Sequence, residues 1–349
     1  MARVAIVLLN LGGPDKPESV EPFLFNFFRD PAIIGAPNPV RWLIAKLIQK
    51  RRGPVAREIY ANLGGGSPIL KLTREQADSL ERELAGSDDE TRCFVCMRYW
   101  HPMSGEVARQ VKDFGAERVV LLPLYPQYST TTTGSAIKAW RAAAKSVGLD
   151  AEEKLVCCYP EQPDFIEAMA ELTRPLIEAA RVDGPPRLLF SAHGLPVKII
   201  AKGDPYQRHV ELTSAAILER LAMPELDALV CYQSKVGPLE WLKPSTEDEI
   251  VRAGRDGASL VILPVAFVSD HSETLVELDI EYRELAHANG VPGYRRVPAL
   301  NSHPAFIRGL AALVRDALAG APLACAEEHE DGCIIDISGG GRVADGRTA

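Results

Sequence analysis

Val119-Val-Leu-Leu-Pro-Leu-Tyr-Pro-Gln-Tyr-Ser-Thr-Thr-Thr-Thr133 runs parallel in residue type to Leu260-Val-Ile-Leu-Pro-Val-Ala-Phe-Val-Ser-Asp-His-Ser-Glu-Thr274. Each is a short apolar run that reaches a proline and then turns polar, as a buried strand does when it feeds a loop. A second pair precedes them in the same order: Val7-Leu-Leu-Asn-Leu-Gly-Gly-Pro14 resembles Leu189-Phe-Ser-Ala-His-Gly-Leu-Pro196. The chain therefore reads as two similar α/β units, 1–158 and 159–320. Buried strands are expected at 4–9, 93–99, 118–124, 187–191, 229–232 and 260–267, alternating with helical stretches such as 74–84, 105–114 and 165–180. That alternation makes parallel sheets flanked by helices and places a ligand in a cleft at the carboxyl ends of the strands. A last helix near 304–319 is expected to pack back on the first unit. The Gly-, Ala- and charge-rich stretch 321–349 reads as a disordered tail.

With 349 residues, 46% hydrophobic and 25% charged, the chain has the composition of a globular protein. Its net charge of −8 argues against a nucleic-acid partner, because phosphate binding needs a basic field. The apolar N-terminus meets Gly12-Gly13-Pro14 too soon for a signal peptide or a membrane span, so a cytoplasmic protein is expected. Seven cysteines scattered along the chain are not a disulfide framework. Cys93 and Cys96 share one strand, where alternation separates their thiols.

The chemistry concentrates after the second repeat. Glu273, Glu277 and Glu281 recur every four residues behind Asp270 and His271, and like charges at that spacing repel. Such a stripe suggests a track for protons or a hard cation. Asp270-x-x-Glu273 also has the spacing of a capping box, which accounts for Glu273 but not for the outer two. His193 stands at a strand end, where a side chain points into the crevice. Arg98, Tyr99, Trp100 and His101 combine flat apolar surface with cationic donors, which suits an aromatic ligand carrying carboxylates. Gly64-Gly-Gly-Ser-Pro68 and Leu11-Gly-Gly-Pro14 lack the residues of a phosphate loop and suit close backbone approach to a flat ligand. The phenylalanine-rich segment 23–34 reads as core with a lip toward a hydrophobic ligand or a membrane surface.

Taken together, Leu9-Asn-Leu-Gly-Gly-Pro14, Gly64-Gly-Gly-Ser-Pro68, Arg98-Tyr-Trp-His-Pro102, Leu124-Tyr-Pro-Gln-Tyr-Ser129, Ser191-Ala-His-Gly-Leu-Pro196, Cys231-Tyr-Gln-Ser-Lys-Val-Gly-Pro238 and Phe267-Val-Ser-Asp-His-Ser-Glu-Thr274 resemble the ferrochelatase family, in its order and over about residues 4 to 310. The resemblance implies two Rossmann-like, chelatase-type domains and a lyase that inserts Fe2+ into protoporphyrin IX to form protohaem. Catalytic and metal-touching roles fall on His193 and Glu273. A proton or metal path falls on Asp270, His271, Glu277 and Glu281, and porphyrin contacts on Arg52, Tyr60, Ser67, Arg98, Tyr99 and Tyr125. Iron is then a substrate, and no cofactor is required. Many relatives hold a [2Fe-2S] cluster, but here the loop after Tyr128-Ser129 is Thr130-Thr-Thr-Thr133. The candidate ligands are only Cys158, Cys325 and Cys333, which counts against a cluster. At most peripheral membrane contact is implied. The rival readings are a coproporphyrin chelatase and a tetrapyrrole or metal carrier without turnover; an acidic stripe favours turnover, since a carrier has no protons to export.

Overall fold

The computed structural model describes residues 1–86 and 89–320, so the expected disordered tail lies outside the described residues. Among the described residues eight strands form two four-stranded sheets. The first sheet holds β1 (Arg3–Asn10), β2 (Glu90–Met97), β3 (Arg118–Pro123) and β4 (Glu152–Leu155), in the order β2-β1-β3-β4. The second holds β5 (Pro186–His193), β6 (Asp227–Gln233), β7 (Ser259–Pro264) and β8 (Tyr294–Arg296), in the order β6-β5-β7-β8. These are one order used twice, so the sequence repeat is a repeat of topology. Every pairing is parallel, and each sheet delivers its carboxyl ends to a single edge.

The apolar runs coincide with all strands except β4 and β8. Those two are short edge strands, Glu-Glu-Lys-Leu and Tyr-Arg-Arg, paired on one side only, so no apolar run announces them. Flanking the sheets are α1 (Val20–Phe28), α2 (Asn38–Ala61), α3 (Ile69–Leu84), α4 (Ser104–Phe114), α5 (Thr133–Val147), α6 (Pro163–Ala180), α7 (Val197–Ile200), α8 (Tyr206–Leu221), α9 (Thr246–Asp256), α10 (Tyr282–Ala288) and α11 (Pro304–Ala319). A π-helix covers Glu273–Glu281.

Strand alternation sorts the core into layers. Val4, Ile6 and Leu8 of β1 join Leu188, Phe190, Val261 and Leu263 of the second sheet in one continuous core with residues of α3, α6, α8 and α11. The intervening Ala5, Val7 and Leu9 face α4 and α5 instead. Leu189, Leu260 and Ile262 pack with α9 and the π-helix. Each fully buried Leu or Ile contributes about 1.5–3 kcal/mol. Cys93 packs beside the shared core while Cys96 belongs to the α4/α5 layer, so alternation does separate the two thiols.

The shared core ties the halves together, and α11 closes it by packing on α6 and α3, with Arg315 Nη2 donating to the Glu83 carbonyl at 2.8 Å. Gln76 of α3 is fully buried and belongs to both halves. Its Nε2 donates to the carbonyls of Val268 (3.1 Å) and Asn301 (2.9 Å), and its Oε1 accepts from Ser269 Oγ (3.0 Å). Gln76→Leu keeps the volume but orphans all three partners. It is expected to cost about 1–3 kcal/mol, read as a lower denaturant midpoint.

The phenylalanine-rich segment is helical only to Phe28, since Asp30-Pro31 stops it. Phe23 is buried and Phe27 lies edge-on to Tyr99 at 4.9 Å, so this segment is wall and core. The exposed apolar surface sits instead on α2, at Val40, Trp42, Leu43, Leu47 and Val55.

Candidate active site

Three strand ends converge at the carboxyl edge of the second sheet. β5 ends in His193, β6 ends in Gln233, and β7 leads through a short loop to Glu273, the first residue of the π-helix. His193 Nδ1 lies 3.1 Å from Glu273 Oε2, and His271 Nε2 lies 3.7 Å from the same oxygen. His193 and Glu273 keep 34% and 28% of their side-chain surface open, whereas His271 keeps 8%. The pair therefore faces the cleft and His271 backs it.

Charge follows from these contacts. Burial works to protonate Glu273, but the two imidazoles outweigh it and hold its carboxyl well below the usual carboxylate range. Burial likewise works to discharge His193, and the Glu273 charge overrides it, raising the imidazole pKa. His271 Nδ1 faces the Ser269 carbonyl at 3.0 Å, an acceptor only, so Nδ1 carries a hydrogen. The other nitrogen can donate to Glu273 only from the cation. His271 is shifted toward that form: burial opposes it and Glu273 supports it.

Glu277 behaves in the opposite way. Burial, then the charge of Glu273, push its pKa up, although Ser234 N (2.9 Å), Ser234 Oγ (2.6 Å), Gln233 Nε2 (3.0 Å) and Tyr282 Oη (3.1 Å) all donate to it. Gln233 is oriented by Ser191 Oγ at 2.7 Å and also donates to the Glu273 carbonyl at 3.2 Å. Ser234 takes a left-handed backbone, φ +64, that costs a non-glycine residue roughly 1 kcal/mol or more and aims both its donors at one carboxylate. The sequence assigns no role to Gln233 or Ser234. A polar pair directly after an apolar strand was the available signal.

The π-helix explains the stripe. With i→i+5 hydrogen bonding a turn takes up more than four residues, so residues four apart stand nearly above one another. Glu273 and Glu277 line the site, while Glu281 is exposed at the far end. Glu273 does not cap its helix: its carboxylate goes to His193, and the Asp270 amide is taken by Asn301 Oδ1 at 3.0 Å. The Asp270 carboxylate is engaged from three sides, since Arg296, Asn301 and Thr274 all donate to it.

From the first half, Tyr60 reaches the site. Its hydroxyl is 3.5 Å from Ser272 Oγ, and burial, with the Glu273 charge adding, pushes its pKa up to about 12. Ser67 and Tyr125 are half-buried at the loops over the first sheet, and Arg52 is exposed on α2 without a contact to the converging strand ends. Arg98 and Tyr99 turn toward Asp30. Tyr99 is 1% exposed and its hydroxyl donates to Asp30 at 2.8 Å, while Arg98 is committed to Asp30 (2.7 Å) and Ser135 (2.7 Å). They brace the wall from behind. The glycine loops also meet each other: a Cβ on Gly66 would stand 2.6 Å from the Asp15 carbonyl, and one on Gly13 2.6 Å from Ser67 Cβ.

Of the candidate cluster ligands, Cys158 is buried, and Cys325 and Cys333 lie outside the described residues.

A family model described as Ferrochelatase matches residues 3–318. A ferrochelatase of Caulobacter vibrioides (strain NA1000 / CB15N) is 54% identical over 322 residues, covering 92% of this chain and 92% of its own. The chain belongs to the ferrochelatase family. Ferrochelatases of Pelagibacter ubique (50% identical; 89% of this chain, 90% of that one) and of a Wolbachia strain from Drosophila simulans (51%; 89% and 98%) agree. Among solved structures, SirB from Bacillus subtilis with Fe3+ superposes with a TM-score of 0.56 at 13% identity, covering 91% of this chain and 96% of that one, which shows the fold alone. As a ferrochelatase the chain is a lyase of the metal-chelatase type, making protohaem from protoporphyrin IX and Fe2+.

Proposed function

We propose that His193 accepts the pyrrole protons, that the Glu273 carboxylate receives the iron, and that Glu277 takes protons away from the site. The observation that carries this is the His193–Glu273 contact at the mouth of the cleft. With Nδ1–H donating to Glu273, the His193 Nε2 lone pair is left free, and the neighbouring carboxylate makes it a stronger base. Glu273 is a poor store for protons because its pKa is depressed, yet for the same reason it meets a hard cation already ionised. Glu277, with its raised pKa, is the carboxylate that picks a proton up. Tyr60, standing across the cleft beside Ser272, closes the site against water.

The test is anaerobic haem formation from Fe2+ and protoporphyrin IX, followed in the visible spectrum. The effect is expected to fall along the stripe, with kcat about 10²-fold lower for Glu277→Gln and little changed for Glu281→Gln. Equal losses would return Glu281 to the relay and remove the special place of Glu277.

No helix among the described residues is long and apolar enough to cross a membrane. For an apolar substrate we favour a cytoplasmic enzyme whose α2 rests on an anionic lipid surface. Exposed Trp42, Leu43 and Leu47 support this, beside exposed Lys46, Lys50 and Arg51. Co-sedimentation with vesicles containing an anionic phospholipid, weakened by Trp42→Ser with Leu43→Ser, is the expected result; no sedimentation would refute it.

A further inference from the structure

The π-helix is held from outside by β8, an edge strand of three residues. Arg296 does most of the holding. Its Nη1 donates to Asp270 Oδ1 at 2.9 Å, and its Nε and Nη2 donate to Asp279 Oδ1 and Oδ2 at 2.9 and 2.7 Å. The Arg296 side chain is 10% exposed. One planar fork therefore joins a residue just ahead of the π-helix to a residue in its last turn. Tyr294, two residues earlier, donates its hydroxyl to the Leu278 carbonyl at 2.5 Å, and Asn301 Nδ2 fixes the second Asp270 oxygen at 2.9 Å.

We propose that Arg296 is a positioning residue for chelation, a clamp that keeps residues 273–281 at π-helical pitch so that Glu273 meets His193 while Glu277 meets Gln233 and Ser234. The physical reason lies in the winding. A π-helix is the rare form, and i→i+4 bonding is the common alternative. Rewinding as an α-helix would turn Asp279 by roughly a quarter-turn relative to Glu273, and one guanidinium could no longer grip both ends. The same rotation would carry Glu277 off its four donors. Ser234 takes a left-handed conformation that aims its amide and its hydroxyl at Glu277 in its present position, so the far side of the cradle suits that pitch.

The inference rests on the roles given above to His193, Glu273 and Glu277, and the experiment separates the two. Arg296→Lys keeps the positive charge between two aspartates but cannot bridge both as a fork. A merely charge-balancing role would leave this variant with wild-type behaviour. The clamp predicts kcat about 10- to 100-fold lower with KM for protoporphyrin IX unchanged, and faster amide hydrogen exchange confined to 273–281. Asp279→Asn, which removes the far grip and keeps the shape, should give the same split even if the lysine variant folds poorly. Faster exchange with unchanged kcat would overturn the proposal through the site roles on which it rests. Unchanged exchange with unchanged kcat would overturn the clamp itself, as would a kcat loss matched by lost protection across both sheets.

Discussion

His193→Ala is expected to fold like the parent and to form haem about 10³-fold or more slowly. The imidazole is the group in the cleft that combines a free nitrogen lone pair with a carboxylate behind it, and truncation removes the base while leaving β5 and its core residues intact. The pair adds little to stability. Both side chains are about a third open to solvent, so screening limits their mutual contribution to at most about 1 kcal/mol. A thermal scan within a few degrees of wild type, together with the lost rate, is the expected combination. Loss of both would make His193 a fold residue.

The pH profile carries the second half of this expectation. His193 must be neutral to accept a proton, and Glu273 raises its pKa above the ordinary 6.5. The acid limb of kcat/KM should therefore lie above pH 6.5 in the wild type, and Glu273→Gln should move it to lower pH as the imidazole loses its carboxylate. An acid limb that stays in place would assign it to another group.

Asp30→Ala should be the most destabilising single change in the first half, by about 3–5 kcal/mol. Asp30 is 4% exposed, and Arg98, Tyr99 and Ser135 all donate to one of its oxygens. Removing the carboxylate leaves a guanidinium without a counter-charge and two hydroxyls without an acceptor. Asp30→Asn, which keeps an acceptor, should cost less. Burial works to raise the Asp30 pKa, but its donors prevail and lower it. Its stability contribution is thus full above the unfolded value of 3.8 and lost as pH falls through the folded one. Urea midpoints of wild type and Asp30→Asn should accordingly close up as pH falls below 3.8 and meet only once it has passed the lowered folded value. A gap that persisted there would place the cost in shape rather than charge.

How much of this was legible depended on the kind of signal. Val4–Leu9 and Leu260–Leu263 announce buried strands because a parallel strand covered on both faces must be apolar throughout. The paired Pro123 and Pro264 close β3 and β7 at the same point, which is why the repeat could be read from residue order alone. Tyr294–Arg296 could not be read, since three residues paired on one side bury too little to leave a pattern. Helix α2 leaves no readable pattern for the same reason in reverse: with Trp42, Leu43 and Leu47 exposed it shows no clear apolar face toward a core.

The site divides along the same line. By itself the sequence determined the α/β class, the twofold repeat, the family, and the placing of His193 and Glu273 near strand ends, because residue type and spacing carry those facts. Only the tertiary structure decided that Glu273 pairs with His193 instead of capping its helix, that Asp270 belongs to Arg296, and that Arg98 and Tyr99 serve Asp30. The physical reason is reach. A carboxylate satisfies whichever donor the fold brings within about 3 Å, and those donors come from residues 26 to 80 positions away along the chain, where spacing says nothing.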